Sequence, residues 1–323
     1  MAGMQVGRLA PSPTGAQHVG NARTYLLAWL WARSQGGRIV LRMEDVDGPR
    51  IKPGADQQAL ADLQWLGLDW DEGPDLGGPH APYVQTQRID LYRSLLEQLK
   101  TAEHVYPCTC TRKDVEEAAS APHSEGVEPV YPGTCAHRSV ADAATLDRPY
   151  CWRFRTSNGE DRFLDAVRGP QSATPSDFGG DFVVWKNDGS PSYQLACVAD
   201  DHTMAITQVL RGDDLVASTF RQLQLYRAFN WTPPQFAHVP LVVGPDGRRL
   251  AKRHGDTRLE TIRRQGIPAE TLLGLLASSA GQLDSPTPTP AQALIDRFRL
   301  AAIPREPFVF TWDLFGDGSR TAQ

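Results

Sequence analysis

The stretch Ala10-Pro-Ser-Pro-Thr-Gly-Ala-Gln-His-Val-Gly-Asn21, followed without a break by an apolar run to Ser34, constrains this chain more than any other. Gln5 to Ala10 is short and partly apolar, as a first strand is. Tyr25, Leu26, Leu27, Trp29, Leu30 and Trp31 recur at helical spacing, which predicts a helix with Arg23 and Arg33 turned to solvent. Between strand and helix lie two prolines, two glycines and Ser12, Thr14, His18 and Asn21. A helix N-terminus offers free N–H groups and a favourable dipole, so this junction suits an anion such as phosphate. Gly15 and Gly20 allow close backbone approach, and His18 can donate to a phosphate oxygen. The loop matches neither the GxGxxG fingerprint nor the GxxxxGK[ST] loop, and a plain strand-to-helix turn would also use Pro and Gly. The distinguishing feature lies over two hundred residues on. Arg248-Arg-Leu-Ala-Lys-Arg-His-Gly255 is a basic loop of the kind that closes on a polyphosphate from the opposite side.

Composition narrows the class. A length of 323 residues with 41% hydrophobic and 22% charged residues suits a soluble globular protein of one large or two modest domains. No run of 18 apolar residues exists, so no membrane partner is expected. The start, MAGMQVGRLA, lacks the basic-then-apolar build of a signal peptide, and a cytoplasmic address follows. The net charge of -5 argues against a non-specific nucleic-acid binder, though a local basic stripe would still serve an RNA partner. Of 33 basic residues only five are lysines, so Lys252 in the basic loop is a weak pointer to phosphate. A monomer is expected.

Along the chain, Arg38 to Met43 reads as a second strand ending in Glu44, Asp45 and Asp47. Ligands of an open parallel sheet bind at the carboxyl ends of strands, so Arg8 and Glu44 should stand near the opening loop. Residues 55–68 and 85–100 have helical spacing, and strand-helix-strand-helix order predicts a doubly wound α/β half-domain. A helix-like Arg112 to Ala121 follows, then short strand-like pieces from Tyr150 to Gly169. Residues 181–211 are expected to resume the parallel sheet, with a hairpin signal at Asp188-Gly189. Residues 214–229 look helical, 236–243 strand-like and 258–280 helical. Ser285-Pro-Thr-Pro-Thr-Pro290 then breaks the chain before one short helix and a tail.

Cys108, Cys110 and Cys135 fall within 28 residues of one another in a chain with five cysteines. Such a thiolate group suits tetrahedral zinc better than a disulfide framework. The count leaves one ligand open, with His104, His123, Tyr131 and His137 all available. Three simply buried thiols are the alternative. Cys151 and Cys197 read as core.

PSPTGAQHVGN resembles the HIGH signature of class I aminoacyl-tRNA synthetases, and RRLAKRHG resembles their KMSKS loop. Arg8, Arg42-Met-Glu-Asp-Val-Asp47, Tyr193-Gln-Leu-Ala, Val209-Leu-Arg-Gly-Asp-Asp-Leu215 and Ser218-Thr-Phe-Arg-Gln222 narrow the likeness to the glutamyl group, over roughly residues 5–275. The resemblance implies a Rossmann-like doubly wound parallel sheet with an inserted zinc-bearing subdomain and a short C-terminal helical region. Residues 1–105 would form the first catalytic half, 106–180 the insert that in relatives cradles the tRNA acceptor end, and 181–245 the second half. Residues 246–323 would carry the basic loop and C-terminal helices without an anticodon-binding domain. It also implies Tyr131 as the fourth zinc ligand, an unusual choice that spacing alone does not make.

The implied reaction joins glutamate to ATP, with Mg²⁺, as an acyl-adenylate. Positioning and charge neutralisation supply most of the rate of such a phosphoryl transfer. His18, Gly20 and Asn21 would hold ATP, and Lys252 would stabilise the leaving pyrophosphate. Arg8, Ala10, Ser12, Glu44, Tyr193 and Arg211 would hold glutamate, since a carboxylate is best read by a guanidinium. Asn21, Arg249 and Ala251 depart from the usual histidine, lysine and serine of the two signatures. Only 71 residues follow Lys252, too few for a helical anticodon-reading region. The chain therefore more closely resembles the truncated glutamyl-queuosine group, which activates glutamate without tRNA and esterifies the queuosine base of tRNA(Asp). A shortened glutamyl-tRNA synthetase charging tRNA(Glu), and an inactive tRNA- or nucleotide-binding module, are the alternatives.

Overall fold

The computed structural model describes residues 3–46, 51–118, 129–250 and 255–315. Its organising strand, β1 (Val6–Leu9), is followed by α1 (Val19–Arg33) and β2 (Arg38–Leu41), with β1 and β2 parallel and Arg8 beside Val40. Strands β8 (Gln208–Gly212) and β9 (Gln235–Val239) form a second parallel pair, with Arg211 beside His238. The two pairs meet where the Val6 carbonyl accepts from the Thr207 N–H at 2.9 Å. Strand order is thus β2–β1–β8–β9.

Alternation along these strands builds two cores, because successive side chains leave opposite faces. Leu9, Ile39, Leu41, Leu210, Ala237 and Val239 pack beneath α1, with α2 (Ala55–Trp65), α7 (Leu259–Arg264) and α8 (Ala269–Ser279) completing the layer. Val40, Val209 and Phe236 face the other way, against α3 (Ile89–Thr101), α5 (Tyr193–Thr203) and α6 (Val216–Ala228). Both faces of the sheet are therefore covered by helices, the mixed α/β arrangement expected. Gly7 allows the approach of α1, since a Cβ there would stand 2.8 Å from the Ala32 methyl carbon.

Between the halves, β3 (Val105–Cys108), β4 (Cys151–Phe154) and β7 (Phe182–Trp185) form an antiparallel sheet in that order, with α4 (Arg112–Ala118) lying between β3 and β4 in sequence. A hairpin of β5 (Asp161–Asp165) and β6 (Gly169–Ala173) is inserted there and is tied to β9 by the Ala166 N–H donating to the Phe236 carbonyl. Residues 182–185 thus do not resume the parallel sheet as expected. The Val/Trp content fits any buried strand, and pairing with β4 is decided by partners distant in sequence. Asp188-Gly189 does make a tight turn, with Gly189 at φ +83° and Lys186 bonded to Ser190.

Two further expectations are corrected. Arg23 is only 1% exposed: its guanidinium reaches the Pro240 carbonyl at 2.9 Å and the Ser279 hydroxyl at 3.1 Å, stapling α1 to the sheet and to α8. Arg33 is half-buried and paired with Asp69 and Asp71. The Pro-rich segment after α8 is packed rather than a simple break. Gly274 lies so close to the Thr287 carbonyl that a Cβ would meet it at 2.1 Å, and the Thr289 N–H donates to Glu270. Beyond it the chain returns through 3₁₀ turns to place β11 (Phe308–Val309) beside β10 (Val242–Val243).

Candidate active site

A cavity of about 560 Å³ opens at the carboxyl ends of β1 and β8. Arg8, Ala10, Ser12, His18, Gly20, Asn21, Glu44, Tyr193 and Arg211 all line it. Every non-metal site residue expected from the sequence and described by the structure is therefore at one place. Lys252 and Ala251 lie outside the described residues, as do Asp47 and His123.

His18 is the N-cap of α1. Its Nδ1 accepts from the Gly20 N–H at 3.1 Å, while its own N–H donates to Asn21 Oδ1 at 3.2 Å, a reciprocal capping box. Nδ1 being an acceptor, the ring proton sits on Nε2. Burial, with help from Arg249, pushes the pKa down to about 4, so the ring is a neutral donor at pH 7. The N-terminus of α1 is less open than its sequence suggests. The Val19 N–H is already given to the Thr257 carbonyl and that of Gly20 to His18.

The opposite wall is cationic. Arg8 is buried and held by Nε to Asp201 Oδ1 at 3.1 Å. Its two Nη groups make no hydrogen bond to a described residue, which leaves the end-on edge that suits a carboxylate. Burial disfavours the Arg8 charge, but Asp201, Cys197 and Glu44 together outweigh it. Arg42, fully buried, bridges Asp201 at 2.8 Å and Glu44 at 2.8 Å, so it fixes both the partner of Arg8 and the acid of the cavity. Arg211 is clamped by His238, Thr219 and Gln222, and its Nη1 donates to the Tyr193 hydroxyl at 3.4 Å. Tyr193 is the first residue of α5, after the Ser192 cap.

Cys108, Cys110 and Cys135 converge in the inserted region, with their sulfurs within 4.8 Å of one another. The Tyr131 hydroxyl lies 3.3 Å from Cys108 Sγ and 3.9 Å from Cys110 Sγ. Three soft sulfurs and one oxygen around a common point fit a tetrahedral zinc ion. Cys151 is not one of the converging sulfurs but packs against them, directly across the strand pair from Cys108, whose carbonyl accepts from its thiol at 3.4 Å. Cys197 is buried, yet it sits among charges rather than in apolar core, 3.6 Å from Asp201 and 3.9 Å from Arg42 Nη2.

Sequence reasoning missed the supporting residues. Asp200 and Asp201 end an otherwise apolar helix, and two buried acids there were the available signal for buried arginine partners. His238 inside the apolar strand QFAHV was a similar signal. Arg249, which stands where the second signature usually has lysine, lines the cavity mouth and reaches Asp214 at 3.4 Å.

Residues 5–282 match the family model for the catalytic domain of tRNA synthetases class I (E and Q). A protein of Symbiobacterium thermophilum named glutamyl-Q tRNA(Asp) synthetase is 51% identical over 308 residues, covering 94% of this chain and 95% of its own. One of the same name from Rhodopirellula baltica is 50% identical over 323 residues, covering 94% and 96%. The crystal structure of a glutamate-tRNA synthetase from Elizabethkingia anophelis superposes with a TM-score of 0.84 at 29% identity, over 97% of this chain and 69% of that one. The match over residues 5–282, the identities to these relatives and the shared fold show that the chain belongs to the class I tRNA synthetases of the E and Q group.

Proposed function

We propose that this chain activates L-glutamate with ATP, without needing tRNA, and transfers the glutamate to the queuosine base in the anticodon of tRNA(Asp). The observation that carries the reading is the single cavity in which the open Arg8 edge, Arg211 with Tyr193, and Glu44 share space with the His18 Nε2–H. The names and near-complete coverage of the two relatives from Symbiobacterium thermophilum and Rhodopirellula baltica support the choice of acceptor.

In this reading the glutamate side-chain carboxylate accepts from Arg8 Nη and Arg211 Nη1, and Glu44 accepts from the substrate ammonium. Arg42 occupies one Glu44 oxygen, which leaves the other for substrate. The substrate α-carboxylate oxygen attacks the α-phosphorus of ATP, and the bond to the pyrophosphate oxygen breaks. His18, as a neutral donor, steadies phosphate oxygens without the entropic and solvation cost of reorganising at the moment of reaction. Lys252 is assigned to the leaving pyrophosphate from sequence alone. Mg²⁺, when bound with ATP, adds charge neutralisation. A hydroxyl of the queuosine cis-diol then attacks the mixed-anhydride carbonyl, and AMP departs. Cys108, Cys110, Tyr131 and Cys135 are proposed to hold one structural zinc.

Two measurements test this. Glutamate should support ATP–pyrophosphate exchange with no tRNA present. Labelled glutamate should pass to queuosine-bearing tRNA(Asp) even after removal of its 3′-terminal adenosine, and not to tRNA(Asp) lacking queuosine. Efficient charging of an unmodified tRNA(Glu) transcript would defeat the acceptor assignment and favour a glutamyl-tRNA synthetase.

A further inference from the structure

His238 is fully buried on β9, where a charged or unpaired imidazole would be costly. Each ring nitrogen has a partner. Nδ1 lies 2.6 Å from Asp165 Oδ2, and Nε2 lies 3.1 Å from Arg211 Nε and 3.0 Å from the Thr219 hydroxyl. Asp165 comes from β5 of the inserted hairpin and is also buried. Its other oxygen accepts the N–H groups of Val167, Arg168 and His238 at 2.9, 2.8 and 3.2 Å. An acid so saturated with donors is held as a carboxylate in one orientation. Burial alone would raise its pKa, but the His238 ring and the two loop N–H groups hold it below the usual range.

The protonation pattern then follows from donor and acceptor counting. Arg211 Nε always donates, so Nε2 must be an acceptor. Asp165 always accepts, so Nδ1 must carry the proton. A protonated imidazolium, or the Nε2–H tautomer, would set N–H against N–H at 3.1 Å. Burial pushes the His238 pKa down, and Arg211 does so as well, against the opposing pull of Asp165. The guanidinium is thus held from behind by Nε and Nη2, which leaves Nη1 beside Tyr193 at the cavity.

We propose that Asp165 and His238 are positioning residues for substrate selection: Asp165 fixes the His238 tautomer, and that tautomer aims Arg211 at the side-chain carboxylate of the amino acid. The proposal rests on the reading of Arg211 as a glutamate ligand, and it places a determinant of glutamate binding in the inserted hairpin, outside the sheet that carries the site.

Asp165→Asn is the direct test. Its carbonyl can keep the three backbone N–H groups, but its amide then donates to Nδ1 and forces the proton onto Nε2, against Arg211. In tRNA-free ATP–pyrophosphate exchange this variant should raise KM for glutamate at least tenfold while KM for ATP stays within about twofold. Asp165→Asn/His238→Gln should recover most of the loss, because a glutamine carbonyl can accept from Nε whatever residue 165 offers. Equal KM for glutamate in wild type and Asp165→Asn, or parallel rises for both substrates with no recovery in the double variant, would overturn the proposal. A wild type that shows no glutamate-dependent exchange would instead strike the functional reading. Independently of how Asp165→Asn folds, ¹⁵N spectra of histidine-labelled wild type should show, as the signal lost in His238→Gln, a neutral Nδ1–H ring at pH 7. An Nε2–H ring at that position would overturn the proposal as well.

Discussion

At the scale of single residues, the cavity works by leaving chosen edges of charged groups open while tying down the rest. Arg8 shows this most simply, because Asp201 takes Nε and the Nη edge remains. Arg8→Ala removes a charge-assisted bidentate contact worth roughly 2–3 kcal/mol. Glutamate-dependent exchange should therefore lose about 10²-fold in kcat/KM, with aspartate and glutamine still poor substrates; a steady-state comparison of the three amino acids checks it. His18 makes a second prediction, through pH. Folding lowers its pKa from 6.5 to about 4, so as pH falls the unfolded chain takes up the proton first. Stability linked to this ring is complete above pH 6.5 and declines between pH 6.5 and 4. Replacing His18 by Asn should flatten that part of the Tm–pH curve. Arg8, Glu44 and His18 were legible in the sequence because each lies near the carboxyl end of a strand or opens a helix. Asp201, Arg42 as a bridge, and His238 were not, since their roles depend on contacts between residues up to 193 apart.

The elements were legible wherever one element's own periodicity decided its state. Helix α1 and strands β1 and β2 fall where the apolar spacing puts them, within a residue or two at their ends. Strand β7 has the right state but the wrong sheet, for its partner is chosen by the antiparallel register with β4. Arg23 was misread for a related reason. On helical spacing it belongs to a polar position, but α8 and the Pro240 loop cover that side of α1 and supply carbonyl and hydroxyl partners. Arg23→Ala would strand those acceptors and empty a buried volume. We expect a loss of about 2–4 kcal/mol in stability, measured by denaturant unfolding, from the combined cavity and unsatisfied-acceptor costs. Since α1 also presents His18, exchange activity should fall with it even though Arg23 touches no substrate.

For the whole molecule, two parallel pairs flank one cavity, and an antiparallel sheet with the thiol cluster sits between the halves in sequence. Purified protein should contain about one zinc per chain by metal analysis. Cys108→Ser or Cys135→Ser should lose it and lower Tm, because a metal bound only by the folded state adds its binding free energy to stability. Freshly prepared protein without zinc would leave the cluster as two buried thiols, one half-buried thiol and a phenol. The overall α/β class and the place of the first signature loop at the cavity could be read from the chain alone. The packing of the Pro-rich segment on Gly274 could not, because nothing local to either stretch encodes a contact between a helix and a segment a dozen residues later.

The hairpin that carries Asp165 bears on how such chains can be recombined. Residues 106–180 look, in sequence order, like a cassette that could be exchanged between synthetases to alter which RNA is held. Yet Ala166 is laced to the Phe236 carbonyl and Asp165 to His238 beneath the amino-acid pocket. A chimaera built by swapping the whole cassette would carry away half of a buried pair and leave an imidazole without its anion. Crossover points placed outside β5 and β6, so that this hairpin stays with β9, would keep the pair intact. On the proposed role of Asp165, a designer or a lineage that exchanges the insert must also repair the support of Arg211.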